Sequence, residues 1–191
     1  YVERVAFNVL PTQSDDNYMV RQYYQQLNQI EVSLNTRQFS TAYSGAGQLY
    51  GLLTGYPCCT SNMHQGWPKF TQNLWYATPD GGLAAMVYAP SRVEAEVNGC
   101  KVKIDERTNY PFEENIEFEI KVAGAKSHLF PLHLRVPAWS KSTIVTVNGK
   151  ALNCAVVNGV VVLNREWKSG DEVAIAFEAD IEVSRWYDGG V

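Results

Sequence analysis

The sequence predicts a mainly β protein, an antiparallel β-sandwich preceded by a shorter segment that contains helices. Three observations carry this expectation. Beyond residue 80, apolar and polar residues alternate in short runs, as they do in strands with one buried face. Asn98-Gly99, Asn148-Gly149 and Asn158-Gly159 each follow a Val, and Asn-Gly readily supplies the two positive φ values of a type I′ hairpin turn. Composition also shifts near Asp80: residues 1–80 hold 4 basic and 5 acidic residues, 8 of the 11 Tyr and all nine Gln, whereas residues 81–191 hold 12 basic and 15 acidic residues and no Gln. The expected domains are therefore 1–80 and 81–191.

Along the chain, residues 1–10 read as a helix, with Val2, Val5, Ala6 and Val9 on one stripe and Pro11 closing it. Residues 18–33 fit a helix poorly, and Ile30-Glu31-Val32 looks extended, so strand or irregular structure is expected. Residues 38–55 are rich in small and turn residues, the composition of a long loop of the kind that often carries function. From Ser61 helical spacing returns through Met63, Trp67, Phe70 and Leu74 with Trp75 and Tyr76, and Thr60 or Ser61 is the expected N-cap. Pro68 inside this pattern predicts a kink, or a regular part that starts nearer Trp67. In the second part Ile116, Phe118, Ile120 and Val122 share one strand face, as do Leu132, Leu134 and Val136, and Val173, Ile175 and Phe177; Ser169-Gly170 is a fourth turn.

The 191 residues carry 16 Lys and Arg against 20 Asp and Glu, a net charge of −4, with no basic patch for nucleic acid or an anionic membrane surface. No run approaches the roughly 18 consecutive apolar residues of a membrane span. A soluble chain without nucleic-acid or membrane partners is expected, and nothing in it marks a localisation or an oligomeric state. It opens at Tyr1 and stops directly after a strand-like run, which predicts a piece of a longer protein.

Of the four cysteines, Cys100 and Cys154 adjoin predicted hairpins, where small packing thiols are the ordinary case and a disulfide the other. Cys58-Cys59 differs in kind. In an irregular turn between Pro57 and a helix start, both sulfurs can converge on one ion, and thiolates select zinc among common ions. The alternative is a buried or vicinally oxidised pair. His64, near the helix start, either hydrogen-bonds a neighbouring loop or takes a direct part in the chemistry. Tyr23-Tyr24-Gln25-Gln26-Leu27-Asn28-Gln29 has the vocabulary of sugar recognition: flat rings for the apolar side of a pyranose or furanose, amides for hydroxyl pairs. Tyr24, Gln26, Asn28 and His64 are the candidate substrate-binding residues. No G-x-S-x-G elbow, Walker or dinucleotide glycine motif, or H-E-x-x-H is present.

The string Tyr56-Pro57-Cys58-Cys59-Thr60-Ser61-Asn62-Met63-His64-Gln65-Gly66-Trp67-Pro68-Lys69 resembles the Cys-Cys-x-x-Asn segment of the beta-L-arabinofuranosidase-like proteins, glycoside hydrolase family 127 and its relatives. The likeness extends to Glu3-Arg4 through Asn8 and Leu10, Gly81-Gly82-Leu83 to Tyr88, Tyr110-Pro111, Arg135-Val136-Pro137-Ala138-Trp139, Val147-Asn148-Gly149 and Arg165 to Asp171. The resemblance implies the end of an (α/α)6 catalytic barrel followed by a β-sandwich. It further implies a retaining glycosidase acting on arabinofuranose-containing glycans, with Cys58 as nucleophile and zinc ligand and Cys59 as a second ligand. The family's remaining ligands, a Glu and a Cys two apart, and its acid/base Glu would all precede Tyr1. Zinc is therefore expected in the intact protein and not in this piece, which is expected to be inactive alone. An Arg usual shortly after the Cys-Cys pair is replaced by Gln65. A non-catalytic sandwich that braces the barrel or holds sugar is the alternative reading.

Overall fold

The computed structural model describes residues 1–25, 49–52, 54, 57–183 and 185. They fall into two compact units, Tyr1–Gln72 and Asn73–Val191. The composition shift at Asp80 lies inside the second unit, in the turn that joins its first two strands.

In the N-terminal unit, α1 (Val2–Arg4), a π turn (Val5–Val9) and α2 (Leu10–Thr12) follow one another without a break. Pro11 was expected to close the helix at Leu10. It is instead tolerated within α2, directly after the wide π turn, in which the Leu10 N–H reaches back to the Val5 carbonyl. The expected apolar stripe is buried only at Ala6; Val2, Val5 and Val9 are exposed. A short ribbon pairs β1 (Arg21–Gln22) with β2 (Tyr50–Gly51), so part of the expected loop is strand. The expectations for residues 26–48 lie outside the described residues.

The second helical segment starts earlier than expected. It comprises α3 (Pro57–Asn62), a 3₁₀ turn (Met63–Gln65) and α4 (Gly66–Thr71). Pro57 opens α3, a position whose N–H would have no helical partner in any case, so Thr60 and Ser61 lie inside the helix and do not cap it. Pro68 falls in the first turn of α4, beside Trp67, after the 3₁₀ turn has interrupted the α ladder. Phe7 meets Phe70 edge-on at 5.5 Å, and Trp67 meets Phe70 at 6.0 Å. Trp75 and Tyr76, expected to continue this helix, belong to β3 (Trp75–Ala77), because pairing with β4 (Leu83–Ala85) captures aromatic residues that suit a strand.

The second unit is the expected sandwich. Its strands continue as β5 (Ser91–Val97), β6 (Cys100–Thr108), β7 (Asn115–Val122), β8 (His128–Arg135), β9 (Thr143–Val147), β10 (Lys150–Leu152), β11 (Val160–Trp167) and β12 (Asp171–Phe177). One sheet runs β10-β9-β12-β7-β6-β5 and the other β11-β8-β4-β3. Every pairing is antiparallel except β4 with β8, which is parallel with Leu83 opposite Leu132. Alternate residues of both sheets are buried: Ile116, Phe118 and Ile120 from one, Phe130, Leu132 and Leu134 from the other. Trp75 crosses between the sheets to meet Phe118 edge-on at 5.8 Å. Asn98-Gly99, Asn148-Gly149 and Asn158-Gly159 all have positive φ at both residues, the type I′ signature. Trp167 is fully buried and donates its indole N–H to the Phe130 carbonyl at 2.9 Å, as befits a core residue. The outer face of the six-stranded sheet carries ion pairs, among them Lys121 with Glu119 at 3.0 Å and with Asp105 at 3.2 Å, and Arg107 with Glu119 at 3.4 Å.

Candidate active site at the Cys58-Cys59 helix

Cys58 and Cys59 occupy the first turn of α3, not an irregular turn before it. The turn is held at both ends: the Asn62 amide donates to the Cys58 carbonyl at 2.7 Å, and Gln65 donates to the Asn62 side-chain oxygen at 3.0 Å. Both thiols are free, Cys58 exposed and Cys59 half-buried. Burial pushes the Cys59 thiol up, the neighbouring Cys58 adds to that, and the Arg21 charge works against both. Cys58 is thus the accessible sulfur and Cys59 the shielded one.

Arg21, on β1, is buried next to this turn. Its Nε donates to Thr60 Oγ1 at 2.7 Å, and Thr60 donates onward to the Leu52 carbonyl at 2.7 Å. No local pattern in the sequence singled out this arginine; only the pairing of residues 21–22 with 50–51 brings it to the helix. A cavity of about 160 Å³ opens here, lined by Leu10, Arg21, Thr60, Met63, His64 and Trp67 among others. His64 is exposed in the 3₁₀ turn, one helical turn beyond Thr60. Tyr24 is half-buried and packs edge-on against Tyr23 at 4.7 Å, with the Arg21 guanidinium 5.5 Å from the Tyr23 ring centre. Gln26 and Asn28, the other two sugar-binding candidates, lie outside the described residues.

A structural or catalytic zinc ion takes its ligands in a near-tetrahedral shell. Among the described residues the cysteine pair offers two thiols, and no group of three His, Cys, Asp or Glu is placed to hold a metal ion. Two thiols are fewer than the four ligands of such a shell, so these residues do not close a site by themselves. Nor does Asp15 provide an acid: its carboxylate accepts the N–H groups of Val20 at 2.9 Å and Met19 at 2.8 Å, which hold it below the usual carboxylate range as part of a turn. Cys100 and Cys154 are free and half-buried.

The family model described as the GH127 middle domain of beta-L-arabinofuranosidase matches residues 82–179, just over half of the chain and almost all of the sandwich. The chain belongs to this family. Among solved structures, a GH127 beta-L-arabinofuranosidase from Geobacillus stearothermophilus is 26% identical, with a TM-score of 0.63 over 70% of this chain and 21% of that one. A second GH127 beta-arabinofuranosidase is 20% identical, with a TM-score of 0.67 over 92% of this chain and 27% of its own. A protein titled glycoside hydrolase shares the fold at 20% identity, with a TM-score of 0.71 over 93% of this chain and 29% of its own. The GH127 chain therefore spans between about a fifth and under a third of the length of these relatives. No curated protein matches it. The family match begins at Gly82 and leaves the Cys58-Cys59 helix outside it.

Proposed function

We propose that this chain is part of a retaining glycoside hydrolase acting on arabinofuranose-containing plant glycans, with Cys58 as its nucleophile. The observation that carries the reading is the conjunction of a GH127 middle-domain sandwich with an exposed thiol on the first turn of the helix that precedes it in the chain. In such a reaction the Cys58 sulfur attacks the anomeric carbon as the bond to the leaving oxygen breaks. That oxygen takes a proton from an acid; water, giving a proton back to that same group, then displaces the sulfur from the opposite face, the one the leaving oxygen vacated, so two inversions give retention.

The described residues supply the nucleophile side of this scheme alone. The first turn of α3 leaves Cys58 exposed to solvent, where a sugar can reach it. Cys58 and Cys59 would be two of four zinc ligands in the intact protein, the others coming from elsewhere in it. Zinc bound there would keep the sulfurs deprotonated near neutral pH. Tyr24, Gln26, Asn28 and His64 are proposed to contact the sugar. With neither an acid nor a closed metal shell among the described residues, the 191-residue chain is expected to be inactive on its own.

The test is release of an aryl leaving group from an aryl β-L-arabinofuranoside by the chain, by the full-length protein, and by full-length Cys58→Ala, Cys58→Ser and Cys59→Ala. Both Cys58 variants should lose at least about 1,000-fold in kcat, since nothing else in the site replaces the nucleophile. Cys59→Ala should act mainly through lower zinc content. Turnover by the chain alone, or a near-normal rate for Cys58→Ala, would leave the pair as a structural feature.

A further inference from the structure

We propose that Arg21 is a positioning residue for the Cys58-Cys59 pair, its guanidinium holding the first turn of α3 and hence the direction of both sulfurs. This rests on the reading of Cys58 as nucleophile and deepens it.

Arg21 is 1% exposed, so a permanent charge has been withdrawn from water, which is costly unless its donors are used. Its Nε–H donates to Thr60 Oγ1 at 2.7 Å, and Thr60 in turn donates to the Leu52 carbonyl at 2.7 Å. Thr60 follows Cys59 directly and lies in the same helical turn as both cysteines. The backbone of Arg21 is anchored as well. It pairs with Gly51 across the ribbon, and its carbonyl accepts from Thr54 Oγ1 at 3.3 Å.

Gly51, Thr54 and Thr60 therefore each meet Arg21, which lies 30 or more residues before them in the chain. A threonine bonded only to a carbonyl could close this turn without any buried charge. The planar guanidinium adds direction: its donors point along fixed lines, whereas a lysine ammonium offers a rotating point charge on a flexible stem. A shift of the helix start by about 1 Å would displace the nucleophile by a comparable distance, and misplacement on that scale can cost on the order of 100-fold in rate.

The experiment compares Arg21→Met, Arg21→Lys and Thr60→Val in the full-length protein, with Cys58→Ala as reference. The readouts are kcat and KM on the aryl β-L-arabinofuranoside. A second readout is the ratio of iodoacetamide labelling rates at Cys58 and Cys59 in the metal-free 191-residue chain, followed by mass spectrometry. Wild type should label the exposed Cys58 several times faster than the half-buried Cys59. Arg21→Met should bring the two rates together and lower kcat by about 100-fold with KM within about twofold. Arg21→Lys should recover only part of either quantity, and Thr60→Val should lose less than Arg21→Met in the same two readouts. Wild-type kcat and labelling ratio in Arg21→Met overturn the proposal. Should that variant fail to fold, the same wild-type result in Thr60→Val, which leaves the guanidinium in place, overturns it instead. An active Cys58→Ala protein sinks the nucleophile reading, and the labelling ratio then still decides whether Arg21 holds the turn.

Discussion

At the scale of residues, the sandwich core contains a buried carboxylate. Glu106 shares the inner face of β6 with Val102 and Ile104 and is 3% exposed. Ser91 Oγ donates to one carboxylate oxygen at 2.6 Å and the Ala89 N–H to the other at 3.2 Å, while the Trp75 indole donates to Ser91 at 3.0 Å. Burial outweighs these bonds and raises the pKa from 4.5 to about 7. A folded pKa above the unfolded one means that the folded state holds the proton more tightly. This contribution to stability is thus complete below about pH 4.5 and is lost as pH rises to about 7. The span corresponds to about 3 kcal/mol. Glu106→Gln, which stays neutral, should unfold at a similar urea concentration to wild type at pH 4.5 and at a clearly higher one at pH 8. A difference between the two proteins that does not change with pH would contradict the assignment. Glu106 and Arg21 were both illegible in the sequence, because a buried charge carries no local mark. Cys58-Cys59 stood out in the sequence because adjacent cysteines are chemically particular, and the proposal for them starts from that pair.

At the scale of elements, the turns followed local chemistry and the helices did not always do so. Asn-Gly prescribes its own backbone, so three hairpins could be read without knowledge of their partners. The start of α3 could not, since Pro57 suits both the end of a loop and the first position of a helix. Two glycines separate backbone conformation from close packing. Gly149 has a φ of +73° and no atom within 4 Å of a Cβ placed on it, so Gly149→Ala should cost about 1 kcal/mol from backbone strain alone. Gly82 carries no such φ, but a Cβ there would lie 2.1 Å from the Pro131 carbonyl oxygen, next to the parallel pairing of β4 with β8. Gly82→Ala should therefore be the more damaging, by at least about 2 kcal/mol, because backbone must move to admit the methyl group. Chemical denaturation of both variants checks this, and equal losses would show that the Gly82 contact relaxes freely.

At the scale of the whole molecule, the second unit closes its buried rows within itself, from Trp75 on β3 to Phe177 on β12. A chain of residues 73–183 should consequently unfold in one cooperative transition with the circular dichroism of a β protein, and Cys58→Ser in the 191-residue chain should leave that transition unchanged. A non-cooperative melt of 73–183 would mean that the sandwich needs more of the chain than its own strands. The sequence by itself determined the sandwich, its hairpins, its buried faces and its family likeness, because period-two alternation, Asn-Gly turns and ordered motifs are properties of neighbours along the chain. Only the tertiary structure decided the parallel β4–β8 pair, the capture of Trp75 and Tyr76 into a strand, the burial of Glu106, and the meeting of Arg21 with the cysteine helix. Each of these joins residues distant in sequence, and the energy that selects it, burial or a hydrogen bond across the fold, exists only once the distant partner has arrived.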